Sequence, residues 1–530
     1  MTYAVKASCI ACDQCHSTCP NGAIKTTDAG YWIDPTLCDR CPDVDTPRCV
    51  DVCAVSSVTP LPTKKGRNRS TLLPAAIHEI FLNGKTTPFA SSMVVWEASN
   101  ILAQRESLSW YADDHDHLCY QRSIHRGQGN IQFRLSSNPE LPDSPPMAYS
   151  LGTAALGNFD IRAVCIHLIF AAYATTLNCP WETPFILNDQ HIEQYLGLHK
   201  RKDLTKLAKL TLIKDLVYQA CQLLVTLDWP RQGKVPGFSI PEQPVWQLLD
   251  TQYYFDIDDQ GYRHLIGLGF SIQTGDWAKH FLNKQDYRKQ TAFYQYGTLP
   301  QSLLTEVMGN WQQHEGAVRL LLWLVFKLRL GGDHRVTVRT LLRIAYGNQR
   351  LSDAMTIRGA HKRLLKTFES DLEAIYHYGL KPQFDPDTYG SDIQPLWARV
   401  ADIPDDADDA LEFWTNDANQ ALSLTDIAPR NKWQRLLNAR ILGFELSDEW
   451  QQSLRRPRTK HRRQSKSSTV HAHPLSSHVI KAARQQLNLS QRALAERLGK
   501  SQSWIRDVEN GRFKISSSDQ TRLRQTLNLV

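Results

Sequence analysis

Eight cysteines fall within the first 53 residues, and their spacing constrains the fold of this region more than any other feature. The first run comprises Cys9, Cys12, Cys15 and Cys19. The second run comprises Cys38, Cys41, Cys49 and Cys53. The first has the spacing C-x2-C-x2-C-x3-C and is followed by Pro20, whereas the second has a wider gap, C-x2-C-x7-C-x3-C, and is followed by Ala54.

This spacing is typical of chains that wrap 4Fe-4S clusters, because three thiolates must reach neighbouring corners of one small cube from a single tight loop. In bacterial two-cluster ferredoxins the fourth cysteine of each run binds the other cluster. The pattern therefore predicts a ferredoxin-like domain over residues 1–62 that holds two 4Fe-4S clusters. The expected ligands of the first cluster are Cys9, Cys12, Cys15 and Cys53. The expected ligands of the second cluster are Cys19, Cys38, Cys41 and Cys49.

Structural zinc is the alternative for such a cysteine-rich segment. It would favour pairs of cysteines separated by a long spacer, not four ligands packed between residues 9 and 19. The iron-sulfur interpretation therefore fits the spacing better.

The composition indicates several ordinary domains, since 530 residues with 42% hydrophobic content can form more than one core. No apolar run is long enough to form a spanning helix, and the start does not resemble a signal peptide. We therefore expect a cytoplasmic protein without a membrane partner. Reduced thiols and cluster assembly fit that compartment better than disulfides do.

The net charge of +7 is concentrated in one segment near the C-terminus. Residues 455–466, RRPRTKHRRQSK, contain seven Lys or Arg and no acidic residue, which equals the whole surplus of positive charge. Such a stretch cannot bury enough surface to fold, so residues 451–476 are predicted to be a basic disordered linker. It is either a solubilising spacer or an arm that lies along phosphate.

Residues 477–530 are predicted to form a small all-helical domain. Ser490 and Ser501 are suited to cap two consecutive helices, and Gly499 is suited to the turn between them. Apolar residues recur at helical spacing on either side of this turn, which indicates a helix-turn-helix. The pattern LSQ-x-x-LAERLG-x-S-x-S-x-I-x-x-x-ENG is similar to that of the Cro/C1-type phage repressors.

This resemblance implies that double-stranded DNA is the partner. Gln491 should contact phosphate and brace Gln502. The residues expected to face base edges are Gln502, Ser503, Arg506 and Asp507. The residues expected near backbone phosphate are Asn510, Arg512 and Lys514. Trp504 is expected to cover the core. A DNA-binding domain of this size contacts few base pairs, so useful affinity would need a dimer, repeated sites or help from the basic linker.

The middle of the chain has no catalytic signature: it contains no P-loop, no G-x-G-x-x-G after a strand and no G-x-S-x-G. We therefore do not expect an enzyme. Residues 63–150 are assigned to a connecting region, and a possible duplication predicts winged-helix units at 151–300 and 301–450. Such a pair resembles plasmid replication initiators, and an unrelated helical scaffold is the alternative. The expected fold class is multidomain α+β, with a mostly helical middle.

The whole layout resembles the cyanobacterial PatB/CnfR regulators, which have an N-terminal two-cluster ferredoxin domain, a long middle and a C-terminal helix-turn-helix. The resemblance implies an activator of nitrogen-fixation (nif) genes at low oxygen, with a second copy of the chain and RNA polymerase as candidate partners. Spacing and composition alone support an iron-sulfur DNA-binding regulator. The alternatives are an electron carrier localised by its DNA-binding domain and a replication initiator.

Overall fold

Two units make up the chain, residues 1–456 and 457–530. The structure is a computed structural model. It describes residues 3–27, 30–34, 37–60, 79–81, 85–141, 144–258, 262–328, 335–401, 403, 406–419, 429, 431–447, 476–512, 515, 517–527 and 529. The predicted linker, apart from Ser476, lies outside these ranges, as does Lys514.

The N-terminal module has the element order β-α-β-β-α-β. Its elements are β1 (Tyr3–Val5), α1 (Gln14–Thr18), β2 (Ile24–Thr27), β3 (Gly30–Ile33), α2 (Arg48–Asp51) and β4 (Val58–Pro60). β1 pairs with β4 and β2 pairs with β3, both antiparallel. A small core of apolar residues and cysteines, including Val5, Ile24 and Cys49, lies between these elements.

The segment assigned to a connecting region is instead part of the main core. Its elements are β5 (Thr86–Ala90), α3 (Met93–Gln104), β6 (Tyr111–Ala112), β7 (Leu118–Ile124), β8 (Gly129–Leu135) and α4 (Tyr149–Asn158). Every residue of α3 after Met93 is buried, so this helix lies inside the molecule. Its sequence, MVVWEASNILAQ, has no broad polar face that could stay in water.

The next segment supplies one long hairpin and two strands of the largest sheet. Its elements are α5 (Ala163–Thr176), β9 (Phe185–Asn188), α6 (Asp189–Tyr195), α7 (Lys206–Cys221), β10 (Leu223–Trp229), β11 (Phe238–Pro244), β12 (Trp246–Ile257) and β13 (Arg263–Thr274). β12 and β13 pair along their whole length, and β9 joins the far edge of β13. β10 and β11 extend the sheet of β6, β7 and β8, with strand order β11-β10-β8-β7-β6.

A second, similar series of elements follows. The connecting elements are α8 (Trp277–Phe281), α9 (Lys284–Arg288), β14 (Tyr296–Pro300) and α10 (Gln301–Asn310). The series itself comprises α11 (Glu315–Lys327), β15 (Val336–Thr337), α12 (Val338–Thr356), α13 (Ala360–His377), β16 (Leu380–Phe384), α14 (Leu396–Ala401), α15 (Ala407–Ala418), α16 (Lys432–Asn438) and β17 (Arg440–Leu446). β14 pairs with β5, and β17 lies between β15 and β16.

The expectation of a mostly helical middle needs correction, because this region mixes helices with four antiparallel sheets among its described residues. α7 ends at Cys221, and residues 223–229 form β10. Their sequence, LLVTLDW, suits either state by periodicity, and pairing with β8 and β11 decides for the strand. Residues from both predicted units and from the connecting region belong to one continuous core.

No single described helix has the length and apolarity of a membrane span. α4 and α5 pass such a test only as a pair, with a bend of 93° between them.

The C-terminal unit is all-helical in its described residues. Its helices are α17 (Ser477–Gln486), α18 (Gln491–Leu498), α19 (Gln502–Glu509) and α20 (Ser517–Thr526). Their apolar faces meet in a core that includes Ile480, Leu494, Ile505 and Leu523.

Candidate cluster site and DNA interface

The first group of cysteines surrounds Cys15 in the N-terminal module. Burial raises the pKa of the Cys15 thiol, and the neighbouring sulfurs of Cys9, Cys53 and Cys12 raise it further. The structure thus places Cys53, from the second run, beside three cysteines of the first run. These are the four residues assigned to the first cluster.

The second group surrounds Cys49. Burial raises the pKa of Cys49 to about 11, and the sulfurs of Cys38, Cys41 and Cys19 add to this shift. The same four cysteines line a small cavity of the module. They are the residues assigned to the second cluster.

The donor set and the loops around it fit a metal cluster. Four sulfurs held together oppose one another's ionisation, so all four become thiolates only when cations compensate their charge. The ligand loops hold Ala11, Asp13, Arg40 and Cys41 at positive φ, a conformation that side chains other than glycine rarely adopt. Such strain is common where a loop wraps a ligand.

Backbone N–H groups also point at the sulfurs. The N–H of Ala23 lies 3.4 Å from Cys19 Sγ, and the N–H of Ser57 lies 3.2 Å from Cys53 Sγ. Burial acts against ionisation of Cys53, but the N–H of Ser57 and its neighbours together lower the pKa of this thiol. Donors of this kind stabilise thiolates that bind metal.

In the described part of the chain, no three His, Cys, Asp or Glu side chains converge on a point where one ion could bind. A cubane does not need such a point, because each thiolate binds a different iron. A tetrahedral zinc site does need it. The cysteine spacing, with four expected ligands between residues 9 and 19, is the observation that favours clusters over structural zinc.

The two groups differ in access to solvent. Cys12 is exposed and Cys9 is half-buried, whereas Cys41 and Cys49 are buried. The first group is therefore the one that small molecules reach more easily.

The module packs against α7 and the β12–β13 hairpin through Trp32 and Asp34. The Trp32 ring centroid lies 4.9 Å from that of Tyr253 and 5.9 Å from that of Phe255. The carboxylate of Asp34, which is fully buried, forms an ion pair with Lys214 of α7. The backbone carbonyl of Asp34 accepts a hydrogen bond from the N–H of Cys38 at 3.1 Å. A cluster-ligand loop is thereby joined to α7 through one residue.

Two further contacts hold the hairpin to the module. Arg263 Nη1 donates to the carbonyl oxygen of Tyr31 at 3.4 Å, and Lys6 forms an isolated β-bridge with Tyr262. Gly30 allows the arginine to approach, since a Cβ at this position would lie 2.6 Å from Arg263 Nη1. No spacing or motif identified these interface residues in the sequence, because they belong to segments far apart in the chain.

The helix-turn-helix at the other end is built by local signals. The side-chain oxygens of Ser490 and Ser501 accept hydrogen bonds from the N–H groups of Ala493 and Trp504, at 3.1 and 3.2 Å. Gly499 ends α18 at φ 64°, a left-handed conformation that glycine adopts without strain. Trp504 is half-buried and packs against the core, as expected.

Four of the eight predicted DNA contacts lie exposed along α19 and its C-terminal cap. Gln502, Ser503, Arg506 and Asn510 are all exposed. They share one stretch of helix surface and are free to face a duplex. Asp507 is half-buried, and its carboxylate binds Arg512 at 3.0 Å, so a predicted base reader is paired with a predicted phosphate contact.

The side chain of Gln491 has a partner inside the domain. Its Nε2 donates to Glu509 at 2.8 Å, and its predicted contacts with phosphate and Gln502 stay predictions. Glu509 also binds Arg484 at 2.6 Å, and the Arg484–Glu509 pair is almost fully buried between α17 and α19. The amide thus supports the position of α19 from its C-terminal end.

The comparisons with known proteins identify both ends of the chain. The Helix-turn-helix family model matches residues 480–528. A ferredoxin-like protein in the nif region of Trichormus variabilis is 48% identical over 44 residues, which are 8% of this chain and 38% of that protein. A protein of the same description from Nostoc is 43% identical over 56 residues, 10% of this chain and 48% of that protein.

A third relative is a ferredoxin-like protein in the vnf region of Azotobacter vinelandii. It is 43% identical over 47 residues, 9% of this chain and 72% of that protein. The chain spans less than half the length of the two nif-region relatives. A solved structure of domains 2 and 3 of RctB aligns with 52% of this chain and 85% of that one, at 12% identity and a TM-score of 0.26, which is too low to inform the fold.

The chain therefore belongs to the ferredoxin-like family through its N-terminal module, and it carries a helix-turn-helix DNA-binding domain at residues 480–528.

Proposed function

We propose that this protein is an iron-sulfur DNA-binding regulator that senses oxygen or redox state and activates nif genes at low oxygen, as the PatB/CnfR resemblance implies. The observation that carries the proposal is the double link through Asp34. Its carbonyl binds the N–H of Cys38, and its carboxylate binds Lys214 inside the main unit. The nif and vnf regions named for the relatives support the choice of target genes.

Bound 4Fe-4S clusters would supply an oxygen-sensitive crosslink between the two cysteine runs. Asp34 connects the loop around Cys38 to Lys214 of α7. Since so small a module depends on its metal ligation for folding, loss of that ligation should loosen the loop around Cys38 and weaken the Asp34–Lys214 pair. A coupling of about 1 to 3 kcal/mol between docking and DNA affinity would change promoter occupancy about 5- to 150-fold.

The test uses full-length protein purified without oxygen. Iron and sulfide analysis should give about eight of each per chain, as two cubanes require. Footprinting on genomic fragments should show protection that decreases after exposure to air. Protection that persists unchanged after the iron is lost would contradict the sensing role.

A matched pair of cysteine variants sharpens this experiment. Cys41→Ser removes an expected ligand and should reduce both iron content and protection. Cys179→Ser makes the same chemical change at a half-buried thiol outside the eight and should leave both unchanged. Equal behaviour of the two variants would count against a regulatory cluster.

The exposure of Cys12 favours a second candidate, an electron carrier that the C-terminal domain localises on DNA. A solvent-accessible first group would suit electron transfer to a partner. This candidate predicts cluster-dependent reduction of an acceptor together with DNA binding that does not depend on oxygen. The footprinting experiment above separates the two.

A further inference from the structure

Two helical segments joined by a short turn lie in the middle of the chain, where α12 leads into α13. Gly347 interrupts α12 with φ 80° and ψ 170°, so residues 348–356 form a separate helical segment. Residues 357–359 then turn the chain into α13. Gly359 adopts φ 81°, in the left-handed region that favours glycine. Two helices joined by a short turn that contains glycine are typical of DNA-binding helix-turn-helix motifs.

The elements around this motif repeat those of the first series. The first series contains α5, β9, α6, α7, β12 and β13, and its strand order is β12-β13-β9. The second contains α11, β15, α12, α13, β16 and β17, and its strand order is β15-β17-β16. In both, the last strand lies at the centre of a three-stranded sheet. α7 and α13 therefore occupy equivalent places.

The outward face of α7 is covered by the N-terminal module. Lys214 on this face is buried against Asp34, and its Nζ lies 5.9 Å from the Trp32 ring centroid. Its charge is thus neutralised within the protein, and no duplex could reach it while the module is docked.

The outward face of α13 differs in charge and exposure. Lys362, Arg363 and Lys366 lie on one side of the helix and are exposed, whereas Phe368 and Leu372 on the other side are buried. Within the described ranges, none of these three cations forms a hydrogen bond or an ion pair.

Two of the three acids of α13 are engaged elsewhere, and the third, Glu373, lies in the second half of the helix. Glu369 binds Lys432 at 2.6 Å. Asp371 is buried and accepts hydrogen bonds from Tyr346 at 2.5 Å and from His314 at 3.2 Å. The positive charge in the first half of α13 is therefore not compensated by its own helix.

We propose that the exposed face of α13 is a second DNA-binding surface, which inserts the first half of the helix into the major groove and neutralises phosphates with Lys362, Arg363 and Lys366. The second helix of a helix-turn-helix enters the groove with its N-terminal residues, and these cations occupy that part of α13. The proposal rests on the proposed DNA-binding function. It gives the chain two DNA-binding surfaces, the C-terminal domain and α13. Two readers on one chain raise affinity without a dimer.

The experiment uses the full-length protein and a duplex that this protein selects from a randomised DNA library. The triple variant Lys362→Gln, Arg363→Gln, Lys366→Gln should bind this duplex about 10- to 100-fold more weakly near physiological salt. The slope of log affinity against log salt should decrease by about 2 to 3, since each lost phosphate contact contributes about 0.9. An unchanged slope and affinity would overturn the proposal.

A matched control removes the same charge elsewhere in the first unit. Lys279→Gln, Arg288→Gln, Lys289→Gln changes one cation on α8, one on α9 and the one directly after α9. This variant should leave both the affinity and the salt slope at their wild-type values. An equal decrease in the control would show a general effect of net charge and would also overturn the proposal. Thermal unfolding of both triple variants checks that they fold.

Two further arms separate this proposal from the proposed function. The double variant Gln502→Ala, Arg506→Ala removes the predicted base contacts of the C-terminal domain. If this variant binds the duplex as the wild-type protein does while the α13 triple variant binds more weakly, the predicted DNA contacts of the C-terminal domain are wrong and the α13 proposal is supported. Weaker binding by the double variant together with unchanged binding by the α13 triple variant would overturn only the α13 proposal. Duplex RNA should compete poorly, because a helix cannot enter its deep, narrow major groove, and equal competition would contradict insertion of α13. If the wild-type protein retains no duplex from the library, both the α13 proposal and the proposed DNA-binding function are overturned.

Discussion

Asp34 binds the ammonium group of Lys214 with its carboxylate, while its backbone carbonyl accepts a hydrogen bond from the N–H of Cys38 at 3.1 Å. Both charged side chains are almost fully buried. Because buried charges are tolerated only when they are paired, each residue depends on the other to remain in place. The cysteine module and α7 are therefore coupled at a point next to an expected cluster ligand.

This coupling can be tested by removing one charge. Lys214→Met leaves the Asp34 carboxylate buried without its partner, which should cost about 3 to 5 kcal/mol of docking stability. Hydrogen exchange of residues 30–34, measured in the full-length protein, should become faster. The double variant Lys214→Met, Asp34→Asn removes both charges and should recover much of the loss. Equal exchange in the single and double variants would mean that the ion pair does not hold the interface.

Gly30 offers a test of the arginine contact. The residue has φ +99°, and a Cβ there would meet Arg263 Nη1 at 2.6 Å. Gly30→Ala should therefore destabilise the module by about 1 to 3 kcal/mol, through backbone strain together with displacement of Arg263. Gly22→Ala is the matched control, since Gly22 also has positive φ, +56°, but a Cβ there has no neighbour within 4 Å. Denaturant unfolding should show a larger decrease in the free energy of unfolding for Gly30→Ala than for Gly22→Ala. Equal decreases would contradict a contribution from the close approach of Arg263.

Asp215 gives the interface region a dependence on pH. Burial raises the pKa of Asp215 to about 6; Lys214 opposes this shift, and the Asp34 carboxylate adds to it. The folded-state pKa therefore exceeds the value of about 3.9 in an unfolded chain. Stability from this group is full below about pH 4 and is lost as the pH rises through about 6.

Asp215→Asn removes the loss of stability that ionisation of Asp215 causes at high pH. The variant should be more stable than the wild-type protein by about 1 to 2 kcal/mol at about pH 8, and the difference should vanish near pH 4. Denaturant unfolding of both proteins across this pH range measures it. A difference that does not change with pH would show that Asp215 titrates normally.

The buried Glu509–Arg484 pair should stabilise the C-terminal domain. Burial opposes ionisation of Glu509, but hydrogen bonds from Arg484 and Gln491 lower its pKa. This contribution is present above the unfolded value of about 4.3 and is lost as the pH falls through the lower folded-state pKa. Glu509→Gln should cost about 3 kcal/mol at neutral pH, because Arg484 stays charged and buried.

Hydrogen exchange across residues 480–508 of the full-length protein measures the effect of Glu509→Gln. Glu496→Gln makes the same change at an exposed position of α18 and serves as the control. Similar exchange in both variants would show that the buried pair contributes little.

Arg506 and Arg512 should contribute differently to DNA recognition. Arg506 is exposed on α19, whereas Arg512 binds Asp507 at 3.0 Å. Arg506→Ala should cost about 1 to 3 kcal/mol on the best site and relax specificity at one base pair. Arg512→Ala should weaken binding uniformly across sequences. Binding of a panel of single-base site variants distinguishes them, and identical profiles would contradict base contact by Arg506.

The short-range features of this protein were predictable from the sequence. Cysteine spacing indicated two groups of sulfurs because ligands within one loop reach the same place with few conformational choices. The C-terminal helices followed from Ser490, Gly499 and Ser501, since capping and turns depend on neighbouring residues only. The Helix-turn-helix match at residues 480–528 confirms that part of the prediction.

The long-range contacts were decided by the tertiary structure. Asp34 and Lys214 are 180 positions apart, and nothing in the spacing of either residue indicates the other. Residues 223–229 likewise became β10 because β8 and β11 offered hydrogen-bonding edges. Local patterns determine which elements form when the interactions are local, whereas the pairing of distant segments depends on the free energy of burying them together in one core.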